Sequence, residues 1–577
     1  MSATPHIAGL TNKSIFLIEF KEPYGEKVFR NESTPNVRGI VFSPKGSYFA
    51  YRTDRKAEII RCADWSITSA IDGNIKEMAF SPLDNYFMVW EMYAITKDNP
   101  EGKPNLRIYR SANGQLVGSF VQKNQLIWEP KWSSDEKLFA IQVNNRVLVY
   151  EDGRLDNYVQ TINSDKLKSF SVAPSAAPNY YFSDFTLGKQ GQPSLWRVFK
   201  YPQFDASQAL VSRSSFQADK CTFQWNRRGT NLFALTQTEV DKTGGSYYGR
   251  QSLSYGDVKG NSGMVTFSKE GPIHAVSWNP ANWSEWVAVY GHAPAKATVF
   301  NANCEPLFEF GTGAWNSIYF APEGTHILLK TYTYTAATEI DSTGHIEVWD
   351  MRGYRKVGAC SAPDTTSLQW DPRGETFVTA TTYPRLTVGN GYKIWHYTGA
   401  LMHKKACQEK ENLLAITWQP GTYAKSDLAK TAPKPIEDAT PKPVGAYRPP
   451  GARNKPSTFT LHEHEKPHKP GDTPSVGPSK QAIKQKEKRE ARKARKAEEK
   501  AKGDASPEPA QPALPRPQFV STGDPDKDKK IKNLNKKLSD IEKLKQQKAA
   551  GKQLELNQLA KIENEQELLK ELDLLRL

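Results

Sequence analysis

A short pattern recurs along the first three quarters of the chain and constrains its fold more than any other feature. Apolar residues alternate with small or polar ones, end on a bulky side chain, and run into a turn closed by proline. Clear copies occupy residues 40–44, 78–82, 276–280, 318–322, 368–372 and 416–420, each ending on Pro44, Pro82, Pro280, Pro322, Pro372 or Pro420. Weaker copies end at Trp132, Val172 and Trp225. The nine marks are spaced 38 to 53 residues apart, about 47 on average, the length of one four-stranded propeller blade. Alternation with period two puts pairs such as Val276 and Trp278 on one strand face. The proline then stops the strand, because it fixes φ and has no N–H for the ladder.

A second strand follows most copies, as at Tyr48-Phe49-Ala50, Tyr86-Phe87-Met88, Leu138-Phe139-Ala140, Trp286-Val287-Ala288 and Thr376-Phe377-Val378. A third ends in an aromatic, as at Ile108-Tyr109, Val149-Tyr150, Val348-Trp349 and Ile394-Trp395. After Trp418 the series fails, since Gly421-Thr422-Tyr423 leads into polar sequence, while the chain starts with an unassigned strand at Ser14–Phe20. The economical reading is an all-β, WD40-like propeller of nine blades over residues 1–424, its ring closed by N-terminal strands. Stacked sandwiches also give short strands and regular turns, but they lack a repeat of this period.

The remaining chain is different. Residues 421–577 carry 34 Lys and Arg against 23 Asp and Glu, whereas the first 420 carry 44 against 40. Most of the formal charge of +15 therefore lies in the last quarter, a basic appendage attracted to polyanions on a near-neutral body. Residues 425–480 read as a Pro-rich disordered linker. Within it, Tyr447, Arg448, Pro449, Pro450 and Arg453 form a candidate docking segment, although the same composition fits an ordinary spacer. Residues 481–503 favour a basic helix without an apolar stripe. Lys484, Lys486, Lys488, Arg489, Arg492, Lys493, Arg495 and Lys496 are candidates to neutralise RNA phosphates; a solvated helix or an import signal fits them too. A second disordered linker covers 504–528. Over 529–577, Ile531, Leu534, Leu538, Ile541 and Leu544, then Leu556, Leu559, Ile562, Leu569 and Leu572, repeat at helical spacing on either side of Gly551. They predict an amphipathic helical hairpin that binds a partner surface.

Signs of catalysis are missing. No phosphate loop, G-x-S-x-G or H-E-x-x-H motif occurs, so no catalytic residue and no cofactor is assigned. His462, His464 and His468 lie in the linker without cysteines and read as incidental, not as a metal site. The five cysteines are dispersed, which fits buried thiols in a reducing compartment. The N-terminus has no basic segment leading into an apolar core, and no stretch has the length and apolarity of a bilayer span, so the expectation is cytoplasmic and free of membrane.

Taken together, Val37–Pro44, the loop Ser246-Tyr247-Tyr248-Gly249, the linker Ala446–Arg453 and the segments Ile541–Leu544 and Leu568–Leu572 resemble the eukaryotic translation initiation factor 2A family along essentially the whole chain. The C-terminal hairpin also looks like the ribosome-associating tail of the partner of Y14 and Mago. The resemblance implies a non-catalytic factor that binds the small (40S) ribosomal subunit and delivers initiator methionyl-tRNA without GTP, chiefly at non-standard starts. It implies mRNA and other initiation factors as further partners. The alternatives are a scaffold like the propeller-bearing subunit of initiation factor 3, though without its RNA-recognition domain, or a scaffold outside translation.

Overall fold

The computed structural model describes residues 4–436 except 31–36, 96, 98, 101, 190–191, 217, 239–248, 332–343, 427 and 429–432, together with Leu538, Ile541, Lys545, Glu565 and Gln566. The described strands form nine four-stranded antiparallel sheets, each a propeller blade. In blades 1 to 9 the inner strands are Gly39–Phe42, Ile75–Phe80, Lys131–Trp132, Leu167–Val172, Lys220–Trp225, Ile273–Trp278, Ser317–Phe320, Ser367–Trp370 and Leu413–Trp418. All nine sequence marks are inner strands, including the three weak ones.

The ninth blade explains why its sequence fades after Trp418. Its second strand is His6–Thr11 from the other end of the chain, which pairs Ile7 with Trp418 and Gly9 with Ile416. Ile15–Glu19 and Glu26–Arg30 complete the sheet. The second strand, His6–Thr11, had no aromatic mark, because Gly9 lies under the Phe16 ring: a Cβ there would meet Phe16 Cζ at 2.0 Å.

The core is not central. Nine buried clusters each join two neighbouring blades; one, for example, sets Ile7, Ile18 and Trp418 of blade 9 against Val378, Tyr392 and Ile394 of blade 8. Second strands are therefore buried on both faces, and Thr376–Thr381 is buried along its whole length. The recurring tryptophans add a polar clamp. Trp278 Nε1 donates to Gln224 O and Trp370 Nε1 to Tyr319 O, each at 3.0 Å, reaching the inner strand of the preceding blade. At these two places the indole fills the wedge between blades and satisfies its own N–H, whereas Trp225 and Trp418 keep their indole N–H groups buried without a partner among the described residues.

The turns after the inner strands interlock around one rim. Asp84 of blade 2 accepts from Ser43 Oγ at 2.7 Å and from the Lys45 and Ser47 N–H groups of blade 1. At the closure, Gln419 donates to Gly46 O at 2.9 Å, and Gly46, at φ 75°, has no room for a Cβ against Pro420 O.

The chain does not leave the ring at residue 424. Ser426 N and Oγ donate to the two oxygens of the buried Glu375 carboxylate at 2.7 and 2.6 Å. Lys425 pairs with Glu323 at 2.7 Å, the Leu428 carbonyl meets His396 Nε2 at 2.8 Å, and Ile436 N donates to Leu401 O at 2.9 Å. Composition hides this strap, because polar pairs hold it together with one apolar anchor, Leu428, packed against the cluster between blades 8 and 9.

Candidate nucleic-acid interface

The inner strands run from one rim of the ring to the other, so their first residues surround the channel mouth opposite the interlocking turns. In blades 2, 4 and 6 the pairing with the second strand skips one residue near this mouth, and the extra residues are Lys76, Lys168 and His274. Each stands four positions before the residue that ends its strand (Phe80, Val172, Trp278), as Arg38 does before Phe42 in blade 1. A bulge breaks the pleat and re-aims its side chain. The same position holds Asn316, Thr366 and Leu414 in blades 7 to 9.

The outcome is a basic crescent along blades 1 to 5 of this rim, which also carries the exposed Arg385 and Lys410 in loops of blades 8 and 9. Arg38, Arg55, Lys76, Arg146, Lys168 and Lys220 belong to blades 1 to 5; Arg55 comes from an adjoining loop of the same rim and Arg146 opens the third strand of blade 3 there. The rim also carries Asp54, Asp72, Asp165 and Asp219. Asp54 accepts from Arg38 at 3.0 and 3.3 Å, which holds its carboxyl below the usual range; Asp165 lies 3.7 Å from Lys189. His274 adds no charge at neutral pH: burial pushes it down, and its Nε2 lies 3.0 Å from Gly291 O. Lysines and arginines gathered along a rim suit phosphates, because neutralising them releases condensed counterions.

The other mouth is apolar. A cavity of about 700 Å³ there is lined by Trp278, Phe320, Trp370, Trp418 and the prolines of four turns. Among the described residues no group of His, Cys, Asp and Glu could hold a metal, and no helix is long and apolar enough to cross a membrane. All five cysteines are free; Cys62, Cys221 and Cys360 are buried, whereas Cys304 and Cys407 are only half-buried. Burial pushes the Cys62 and Cys360 thiols up to about 12, so they are inert as nucleophiles.

Most residues singled out by sequence lie outside the described residues. These are Lys484, Lys486, Lys488, Arg489, Arg492, Lys493, Arg495 and Lys496; Tyr447, Arg448, Pro449, Pro450 and Arg453; and Ile531, Leu534, Leu544, Leu556, Leu559, Ile562, Leu569 and Leu572. His462, His464, His468 and the loop residues Ser246, Tyr247 and Tyr248 are outside as well. Leu538 and Ile541 are helical, Ile541 is buried, and Lys545 Nζ is paired with the Glu565 carboxylate. Sequence reasoning missed the crescent. Part of its signal was present, since Arg38, Lys76 and Lys168 stand four places before the strand-ending residue, but the repeat was read only for its apolar positions.

Nine four-stranded blades, the last closed by the N-terminal strands, define a β-propeller. The chain belongs to the eukaryotic translation initiation factor 2A family. The family model described as eukaryotic translation initiation factor eIF2A matches residues 213–415, and that of the eukaryotic translation initiation factor 2A C-terminal domain matches 529–575. The chain is 35% identical to eukaryotic translation initiation factor 2A of Drosophila melanogaster, over 96% of this chain and 95% of the relative. It is 32% identical to that of Schizosaccharomyces pombe, over 99% and 98%. A crystal structure of a eukaryotic initiation factor superposes with a TM-score of 0.65 at 30% identity, covering 73% of this chain and 99% of that one. One subunit of eukaryotic translation initiation factor 3, from Xenopus laevis, is 22% identical over 70% of this chain and 57% of its own length.

Proposed function

We propose that this initiation factor acts by binding alone: it associates with the small ribosomal subunit in the cytoplasm and promotes GTP-independent delivery of initiator methionyl-tRNA, especially at non-canonical starts. The observation that carries the reading is that one chain matches the factor 2A family model over residues 213–415, within the propeller, and the model of its C-terminal domain over 529–575. The sequence supplies no phosphate loop for GTP. In this reading the ring is a rigid platform and its basic crescent meets RNA backbone. The basic run at 484–496 adds charge, and Tyr447–Arg453 docks on a partner factor. The C-terminal helices bind a ribosomal or factor surface. Support for a helical hairpin comes from the pairing of Lys545 with Glu565, since one straight helix would hold them about 30 Å apart.

The similarity to the initiation factor 3 relative favours a second reading, a scaffold for other factors. Filter binding of charged initiator and elongator tRNAs to the full-length protein separates the two. The carrier reading expects tighter binding of the initiator. Equal affinity for both would leave only the scaffold.

A further inference from the structure

Between blades 5 and 6, on the rim opposite the crescent, two turns stand side by side. One carries Arg227 and Arg228, the other Trp283. The Arg228 guanidinium lies over the Trp283 ring, 4.4 Å from its centroid, and Trp283 is 37% exposed, unlike the buried tryptophans Trp278, Trp370 and Trp418 that end inner strands. Its loop is nevertheless fixed, because the buried Asn226 side chain donates to Trp283 O at 3.3 Å. Beside the pair opens a cleft of about 480 Å³, whose lining includes Tyr255, Lys259 and Asn303. The one carboxylate among its described lining residues, Asp257, is committed to its own turn: it accepts from Lys259 N at 2.9 Å, Asn261 N at 2.8 Å and Asn261 Nδ2 at 2.8 Å.

We infer that this cleft binds a single unpaired nucleotide of an RNA strand. The inference rests on the reading of this chain as a factor that works on RNA, and it goes beyond that reading by naming a site for one unstacked base. The exposed Arg228 extends the aromatic face with a second planar group, so an incoming base continues the stack. Lys259 lines the cleft with positive charge for an adjoining phosphate, the exposed Arg227 stands next to Arg228 in the same turn, and Asn303 presents an amide able to pair with a base edge. A cleft of this size admits one base and no helix. Duplex bases are stacked inward and cannot reach the ring, so the site discriminates for single strands. An acidic peptide would use the cations but not the aromatic plane.

The test is photocrosslinking of the full-length protein to a short single-stranded oligoribonucleotide carrying 4-thiouridine, mapped to residues, with affinities for that strand and for a duplex of equal length. The expected result is crosslinking within residues 226–230, 255–261 or 280–284. Trp283→Ala and Arg228→Ala should each weaken single-strand binding about tenfold, with little change for the duplex. Arg228 is exposed, so its variant tests the site even if Trp283→Ala disturbs the fold. Crosslinks confined to other regions, with both variants binding the single strand as tightly as wild type, would overturn the inference and leave the RNA-binding reading standing. Loss of affinity for an acidic peptide but not for RNA would assign the cleft to a protein partner and overturn it. Absence of binding to either RNA would overturn both.

Discussion

His6 Nδ1 and Gln419 Oε1 lie 3.1 Å apart, although 413 residues separate them in sequence. The Gln419 backbone N–H returns to His6 O at 2.8 Å while its side chain holds Gly46 of blade 1, so one residue ties both parts of the closing blade to its neighbour. Because Gln419 donates through Nε2, its Oε1 accepts from the imidazole Nδ1–H.

The closure and four other sites make the ring acid-sensitive. Burial lowers the pKa of His6, His274, His326, His396 and His403 from the ordinary 6.5. Below 6.5 the unfolded chain takes up protons that the folded ring resists. Their contribution is therefore complete above that pH and is lost as pH falls through the lower folded values. Urea denaturation of the full-length protein should show a lower midpoint at pH 5.5 than at pH 7.5. His6→Gln should narrow the difference, and equal midpoints would refute this account.

The Gly9–Phe16 contact predicts a coupled pair. Gly9→Ala places a methyl in the Phe16 ring and should cost about 1–3 kcal/mol through overpacking. Phe16→Leu removes the ring atoms that collide, so the double variant should be more stable than the sum of the single losses. A denaturation cycle measures that coupling, and strict additivity would show that the ring and glycine do not meet.

This closure also marks where sequence reading succeeded and where it stopped. The unfinished ninth blade was legible from the missing third strand after Trp418 and the spare strand before Phe20. His6–Thr11 itself was not, since a glycine beneath a ring replaces the aromatic mark. The strap through Ser426 escaped for a related reason: composition registers buried mass, and this segment is held by a few polar pairs and a single leucine, Leu428. Three members of the crescent, Arg38, Lys76 and Lys168, stand at a fixed offset in the repeat, but the bulges at Lys76 and Lys168 appear only once registers are known.

Blade 4 contains a charge pair whose removal should be costly. Asp184 is fully buried, with Arg197 opposite it on the next strand, donating to both carboxylate oxygens and to Ser164 Oγ at 3.0 Å. Desolvation raises the Asp184 pKa, and Arg197 opposes that rise. Arg197→Ala strands the carboxylate and should destabilise the ring by about 3–5 kcal/mol. Chemical denaturation checks this, and a loss below about 1 kcal/mol would contradict it.

The strap is predicted to open when a like charge is set beside Glu375. Ser426→Asp sets a second carboxylate against Glu375, which already engages Arg373 at 3.4 Å. Trypsin should then cut after Lys425 markedly faster while the ring stays folded. An unchanged cleavage rate would mean that the Ser426 contacts do not hold the strap.

The central claim is that this chain grips the small ribosomal subunit through RNA phosphates met by the basic rim of the ring together with its tail. Sucrose-gradient sedimentation with purified small subunits tests it most directly, comparing full-length protein, Lys76→Glu/Lys168→Glu and a chain ending at Ile436 over a range of salt. The account predicts co-migration that weakens as salt rises, weakens further in the charge-reversed variant and falls when the tail is removed. Absence of co-migration at low salt, or binding indifferent to salt and to both changes, would contradict it.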